Sequence, residues 1–137
     1  MLQSNDLVGI ISIDSEECGV GIIDGGHVFP IKTITSGVPG KSSKGGSSAR
    51  RYELNRKAGL NGFFHRAAEL ANMTFLSYGD RLTRLVISGP GFTKENFEKT
   101  EYLDYRLRAK LTPLIGIEYA GADGIYQTFN LMAGKSF

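Results

Sequence analysis

Residues 35 to 48 hold four glycines, six serines or threonines and one proline, without any apolar periodicity, and the spacing of apolar residues changes on either side of them. Before this stretch the chain runs in short Val- and Ile-rich segments, Leu7 to Ile13, Cys18 to Ile23 and Gly26 to Ile34, separated by Asp-Ser-Glu-Glu and Asp-Gly-Gly. Such runs read as three strands joined by hairpins, an antiparallel meander. After it, from Ala49 to about Ser77, apolar residues recur three to four apart: Tyr52, Leu60, Phe63, Phe64, Ala67, Leu70, Ala71 and Phe75. That is one long helix. A structureless connection of this length in a compact domain is usually functional or disordered. Gly59 and Gly62 within the helix each cost about 1 kcal/mol relative to Ala, which predicts a kink or a weak point there.

The rest of the chain alternates. Leu82 to Ser88 reads as a buried strand, stopped by Ser88-Gly89-Pro90-Gly91, and Thr93 is placed to cap a short helix. Tyr102 to Leu111 has Leu103 and Leu107 in helical phase, Pro113 ends it, Leu114 to Tyr119 reads as a strand, and Asp123 to Leu131 as a last helix. The order βββαβαβα predicts an α/β (α+β) fold, a mixed five-stranded sheet with helices packed on its faces. At 137 residues one domain, 1–137, suffices to bury a core.

Charge is the second constraint. The net charge is only +2, yet residues 32 to 57 carry seven Lys or Arg against Glu53 alone, which leaves this window at +6 and the remainder at −4. A concentrated cationic stretch on a thin loop points to a polyanion, RNA or phosphate. A solvated face is the other reading of such a cluster. Arg50 and Arg51 fall in the first helical turn, where the positive end of the macrodipole disfavours cations unless an anion is bound. One cysteine, Cys18, permits no disulfide or cysteine zinc site within the chain and suggests a reducing, cytoplasmic setting. The sequence shows no span-length apolar run and no signal-peptide pattern, so no membrane is expected.

Several motifs are tested and set aside. Thr35-Ser-Gly-Val-Pro-Gly-Lys41-Ser42 nearly matches a phosphate-binding P-loop, but Thr35 stands where that pattern has its first glycine, and Gly45 and Gly46 delay the helix. Ser47 and Ser48 sit in no nucleophile elbow, and helix capping accounts for one of them. His65, among Phe63, Phe64 and Ala67, reads as a surface or packing residue. Asp14, Asp24 and Asp80 lie at turns, where their side chains bond local backbone. No metal and no cofactor are expected.

Taken together, the strings Thr35-Ser-Gly-Val-Pro-Gly-Lys41, Gly45-Gly46-x-Ser48-Ala49-x-Arg51-Tyr52, Ser88-Gly-Pro-Gly-Phe-Thr-Lys94, Tyr102-Leu-Asp-Tyr-Arg-Leu-Arg108 and Tyr119-Ala-Gly-Ala-Asp-Gly-Ile125 resemble the middle domain of the class I peptide chain release factors of archaea and eukaryotes. The resemblance runs from Leu7 to Leu131. It implies translation termination: a loop that enters the ribosomal peptidyl transferase centre and promotes hydrolysis of the peptidyl-tRNA ester. Gly45, Gly46 and Ser47 then form the catalytic tip, and Lys41, Lys44, Arg50, Arg51 and Arg56 contact rRNA or tRNA. The implied partners are large-subunit rRNA, the P-site peptidyl-tRNA and a translational GTPase. The family's decoding and factor-binding domains are not in this chain. The family reads Gly-Gly-Gln where this chain reads Gly45-Gly46-Ser47, so the alternative is a noncatalytic ribosome-binding or ribosome-rescue paralogue that has lost the glutamine.

Overall fold

A computed structural model of the chain describes residues 6–38 and 47–134; for Ser47, Ser48, Ala49 and Tyr52 it describes the backbone only. Five strands form one mixed sheet: β1 (Leu7–Ile13), β2 (Glu17–Asp24), β3 (His27–Thr35), β4 (Leu82–Gly89) and β5 (Ile115–Gly116), in the spatial order β3-β2-β1-β4-β5. β1 pairs antiparallel with β2 and parallel with β4, β2 pairs antiparallel with β3, and β4 pairs parallel with β5. The helices are α1 (Ser47–Leu76), α2 (Thr93–Lys99), α3 (Tyr105–Arg108) and α4 (Gly121–Met132). The predicted mixed sheet with helices on its faces is the observed fold.

Local chemistry explains the meander. Asp24 pairs with His27 across Gly25 and Gly26, whose φ values of 60° and 83° suit the tight two-residue turn that right-twisted strands prefer. Between β1 and β2, one carboxylate oxygen of Asp14 accepts from the amides of Glu16 and Glu17, both at 2.8 Å, the local bonding expected of a turn aspartate. Every residue of β1 is buried, since helices cover both faces of the sheet. β3 is an exposed edge, interrupted by a bulge opposite Val20 and Gly21 and by Pro30, which lacks an amide hydrogen to offer a further strand.

Side chains alternate between two cores. Leu7, Ile11 and Ile13 of β1, with Cys18, Val20, Leu85 and Ile87, meet Phe63, Phe64, Ala67, Ala71 and Phe75 of α1 and Phe97, Leu103 and Leu107 beyond it. Among the described residues α4 alone covers the opposite face, and small residues bring it close. A Cβ added at Gly19 would sit 2.7 Å from the Gly121 carbonyl carbon, and one added at Gly124 would collide with Ser12 Oγ. The buried hydroxyls of Ser88 and Thr128 meet at 2.7 Å across this interface.

Four local expectations change. The helix expected over Tyr102 to Leu111 shrinks to Tyr105–Arg108, because Asp104 is its N-cap and Glu101 takes a left-handed φ of 58°. Leu111 instead bridges Leu85, so the chain has already joined the sheet edge there; Pro113 has no amide to donate, and paired strand resumes only at Ile115–Gly116. Thr93 is the first helical residue of α2, whose N-cap is Phe92 without a side-chain cap. α1 runs unbroken through Gly59 and Gly62.

Candidate functional site

α1 has 30 residues, a length of about 45 Å at 1.5 Å per residue. Its two halves differ. Phe63, Phe64, Ala67, Ala68, Ala71 and Phe75 are buried against the sheet, whereas none of the described side chains from Arg50 to Gly62 is buried. The first half is therefore the more exposed one, although Glu53, Arg56, Gly59 and Leu60 are half-buried and Leu60 packs against the core, and Ser47 begins it about 18 Å along the axis from Gly59. The sequence reason is that between Tyr52 and Leu60 the positions in phase with the apolar stripe hold Arg56 and Gly59 in place of large apolar residues.

This first half is cationic. Arg50, Arg51 and Lys57 are exposed and Arg56 half-buried, and no acidic residue lies in the first turn. Among the described residues, ion pairs join Lys94 to Glu95, Arg106 to Asp104 and Arg108 to Glu101, and none of them engages Arg50, Arg51, Arg56 or Lys57. The Nε of Arg56 is buried without a hydrogen-bond acceptor among the described residues. Leu54, 61% exposed in the middle of this cluster, presents apolar surface beside the cations.

Of the residues expected at the tip, Gly45, Gly46, Lys41 and Lys44 lie outside the described residues, as do the side chains of Ser47 and Ser48 and hence their capping. The backbone of Ser47 opens α1 directly after the glycine pair. Lys41 and Ser42 lie outside the described residues, and with them the P-loop geometry weighed above.

The base of the connection is held by residues that the sequence does not single out. The Ser36 amide donates to the Glu16 carbonyl at 2.8 Å, and Arg66 donates through Nη1 to the Thr35 carbonyl and through Nη2 to the Ser36 carbonyl, both at 3.1 Å. The Arg66 guanidinium also lies 5.5 Å from the centroid of the Phe63 ring. Val38, whose amide donates to Ser36 Oγ at 3.0 Å, packs at Gly59, where an added Cβ would lie 2.9 Å from Val38 Cγ2. Gly59 was the one available signal, because a glycine inside a helix often marks a close approach.

Other titratable groups have structural settings. Burial, and secondarily Asp14 and Glu17, pushes the Cys18 thiol upward, so it stays protonated and unreactive. Desolvation first, then the neighbouring Asp14, Asp123 and Glu16 carboxylates, raises Glu17. His65 is an exposed residue stacked on Tyr102. Among the described residues no group of three or more His, Cys, Asp or Glu is placed to hold a metal ion, and no helix is long and apolar enough to cross a membrane.

The described residues form a three-layer sandwich whose long helix opens directly after a Gly-Gly pair and carries exposed cations before it joins the core. The family model described as eRF1 domain 2 matches residues 7–136, and the chain belongs to that family, the middle domain of archaeal and eukaryotic release factors. The peptide chain release factor subunit 1 of Thermococcus sibiricus is 39% identical over 127 residues, covering 91% of this chain and 31% of the relative. That of Archaeoglobus fulgidus is 35% identical over 127 residues, covering 93% and 31%. The crystal structure of an archaeal translation termination factor, aRF1, superposes with a TM-score of 0.79 at 25% identity, over 98% of this chain and 36% of that one. The Thermoplasma acidophilum Pelota protein shares the fold, at a TM-score of 0.52 and 13% identity over 95% of this chain and 33% of that one. The chain thus spans about a third of the release factors it matches.

Proposed function

We propose that this domain acts in translation termination by presenting Gly45, Gly46 and Ser47 to the ester of peptidyl-tRNA in the peptidyl transferase centre. The observation that carries this reading is the first half of α1: cations without an ion pair among the described residues, on a helix that opens directly after the Gly-Gly pair and reaches the core from Leu60 on. Arg50, Arg51 and Arg56, with Lys41 and Lys44, hold rRNA or tRNA phosphates. Glycine at positions 45 and 46 permits a backbone approach that larger residues would block. The amide of Ser47 serves as a preorganised donor to the developing oxyanion, a contribution of several kcal/mol in comparable chemistry. In this reading residues 1–137 are the middle domain, the decoding and factor-binding domains lie outside this chain, and a translational GTPase delivers the whole factor.

Ser47 itself favours a second reading. Its side chain cannot span the distance of the family's glutamine, and a noncatalytic ribosome-binding or rescue paralogue would tolerate that loss. One experiment separates the two. The domain is placed in the release factor of Thermococcus kodakarensis in exchange for its own middle domain, and peptide release and ribosome affinity are measured with Ser47 and with Ser47→Gln. Catalysis predicts that Ser47→Gln raises release with little change in affinity. Normal ribosome binding with no release from either version would establish the noncatalytic reading.

A further inference from the structure

We infer that Arg66 and Gly59 are positioning residues for the loop that carries the tip; the inference rests on the catalytic reading above. The connection leaves β3 at Thr35 and must reach Ser47, about 18 Å along α1 from Gly59. Its direction of departure is set by three contacts. The Arg66 fork takes the carbonyls of two consecutive residues, Thr35 and Ser36, which fixes both the position and the rotation of that peptide. The Glu16 carbonyl holds the Ser36 amide from the other side, and Ser36 is buried between them. Val38 then seats on α1 at the position that Gly59 leaves open.

The Gly59 contact is asymmetric in a useful way. The helix backbone is fixed by the core residues one turn further on, from Phe63, while the Val38 methyl belongs to the departing chain. A methyl group added at Gly59 therefore displaces the loop base and not the helix. In an exposed helix interior the same change adds helix propensity of about 1 kcal/mol. Gly59→Ala is thus expected to hold or raise thermal stability while misdirecting the tip. A residue of merely structural importance behaves in the opposite way, losing stability and activity together.

Misplacing a reacting group by about 1 Å can cost up to 10²-fold in rate, so loss of the fork is expected to lower release by about tenfold or more. In the proposed reading ribosome affinity rests on Lys41, Lys44, Arg50, Arg51 and Arg56, none of which these changes remove, and it should stay within about twofold.

The test has two arms. In the 137-residue chain, hydrogen exchange at the Ser36 and Val38 amides is measured for the unsubstituted protein, Arg66→Ala and Arg66→Lys. In the exchanged Thermococcus factor, in whichever background of Ser47 or Ser47→Gln releases peptide, single-turnover release and ribosome affinity are measured for the same variants, Gly59→Ala and Gly59→Ala with Val38→Ala. We expect faster exchange and about tenfold slower release in Arg66→Ala, an intermediate Arg66→Lys, and a Gly59→Ala defect that Val38→Ala relieves. Release within twofold of the unsubstituted factor in both Arg66→Ala and Gly59→Ala, a loss that follows ribosome affinity, or failure of Val38→Ala to relieve Gly59→Ala overturns the inference. A factor that binds ribosomes and releases nothing in either background defeats the catalytic reading and this inference with it. That failure is told apart by the silence of the parent, because failure of the positioning role alone leaves an active parent and indifferent variants.

Discussion

The ring of His65 lies flat against that of Tyr102, with centroids 3.7 Å apart and 16° between planes, and the Tyr102 hydroxyl donates to Asn61 Oδ1 at 2.7 Å. One tyrosine thus spans a full turn of α1 at the level where the helix joins the core. Two residues on, the Asp104 amide donates to Asn72 Oδ1 at 2.9 Å, so the connection between α2 and α3 is fastened to α1 at two heights.

Removing this fastening should destabilise by two different amounts. Tyr102→Phe keeps the stack and loses one half-exposed hydrogen bond, a cost of about 0.5–1 kcal/mol. Tyr102→Ala loses the ring as well, and about 2 kcal/mol is expected from its contact area and stacking. Urea unfolding of both variants provides the comparison. Equal losses would show that the stack contributes nothing beyond the hydroxyl.

Across the sheet, Thr128 Oγ1 donates to the Gly124 carbonyl at 2.7 Å, which leaves Ser88 Oγ to donate to Thr128. Both side chains are fully buried. Thr128→Val preserves shape but strands the Ser88 hydroxyl, so a loss of about 1–3 kcal/mol is expected. Adding Ser88→Ala removes the stranded group and should recover part of that loss. A double variant no more stable than Thr128→Val would contradict this hydrogen-bond order.

Gly124 and Ser12 make a similar pair without the bond. A methyl at Gly124 would collide with Ser12 Oγ, and that hydroxyl is buried without a partner among the described residues. Gly124→Ala should therefore cost about 1–3 kcal/mol through overpacking. Ser12→Ala alone should be neutral or stabilising, because it removes an unpaired buried hydroxyl. Combined, the two should be less damaging than Gly124→Ala by itself, as melting temperatures will show.

The first three strands were legible from their short Val- and Ile-rich runs and α1 from the apolar recurrence between Leu60 and Phe75, and Asp24-Gly25-Gly26 names its own turn. The stretch from Tyr102 to Leu111 misled for a physical reason. Leu103, Leu107 and Leu111 are spaced as on a helix, yet Leu103 packs from a bend before α3 and Leu111 from a bridge to β4. At the candidate site, the cations and the glycine pair were visible as composition and motif. Arg66 was not, since its acceptors are backbone carbonyls 30 and 31 residues away, which leave no side-chain signature. Gly59 drew notice as a weak point in a helix, whereas its missing side chain makes room for Val38.

Acid should loosen α3. The Arg106 side chain, and secondarily its amide, bonds the Asp104 carboxylate at 2.9 Å and holds its pKa down to about 2. Because the folded value lies below the ordinary value of about 3.9, this interaction contributes stability above about pH 4 and loses it as the pH falls through about 2. Asp104→Asn keeps a capping oxygen without the charge. The difference in melting temperature between the two proteins should shrink steadily from pH 5 to pH 2. A constant difference over that range would show that the carboxylate charge is not what stabilises the turn.

The face of α1 that bears Arg50 and Arg51 should betray itself in the salt dependence of ribosome binding. Each phosphate neutralised on an RNA strand releases condensed counterions and contributes about −0.7 to the slope of log K against log salt. Arg50 and Arg51 are exposed, and no ion pair among the described residues engages them, so removing them breaks no internal interaction seen there. In the exchanged Thermococcus factor, Arg50→Ala with Arg51→Ala should weaken binding at low salt and reduce the slope by about 1.4. Arg84 is equally exposed but lies beside Val8, Ile23 and Met132, near the end of α4, and Arg84→Ala serves as the control that should leave the slope unchanged. Thermal stability of the double variant should match or exceed the parent's, since both side chains are exposed and cations near a helix N-terminus are unfavourable. A parental slope in the double variant would mean that this face meets no phosphate, and the first half of α1 would then need a different partner.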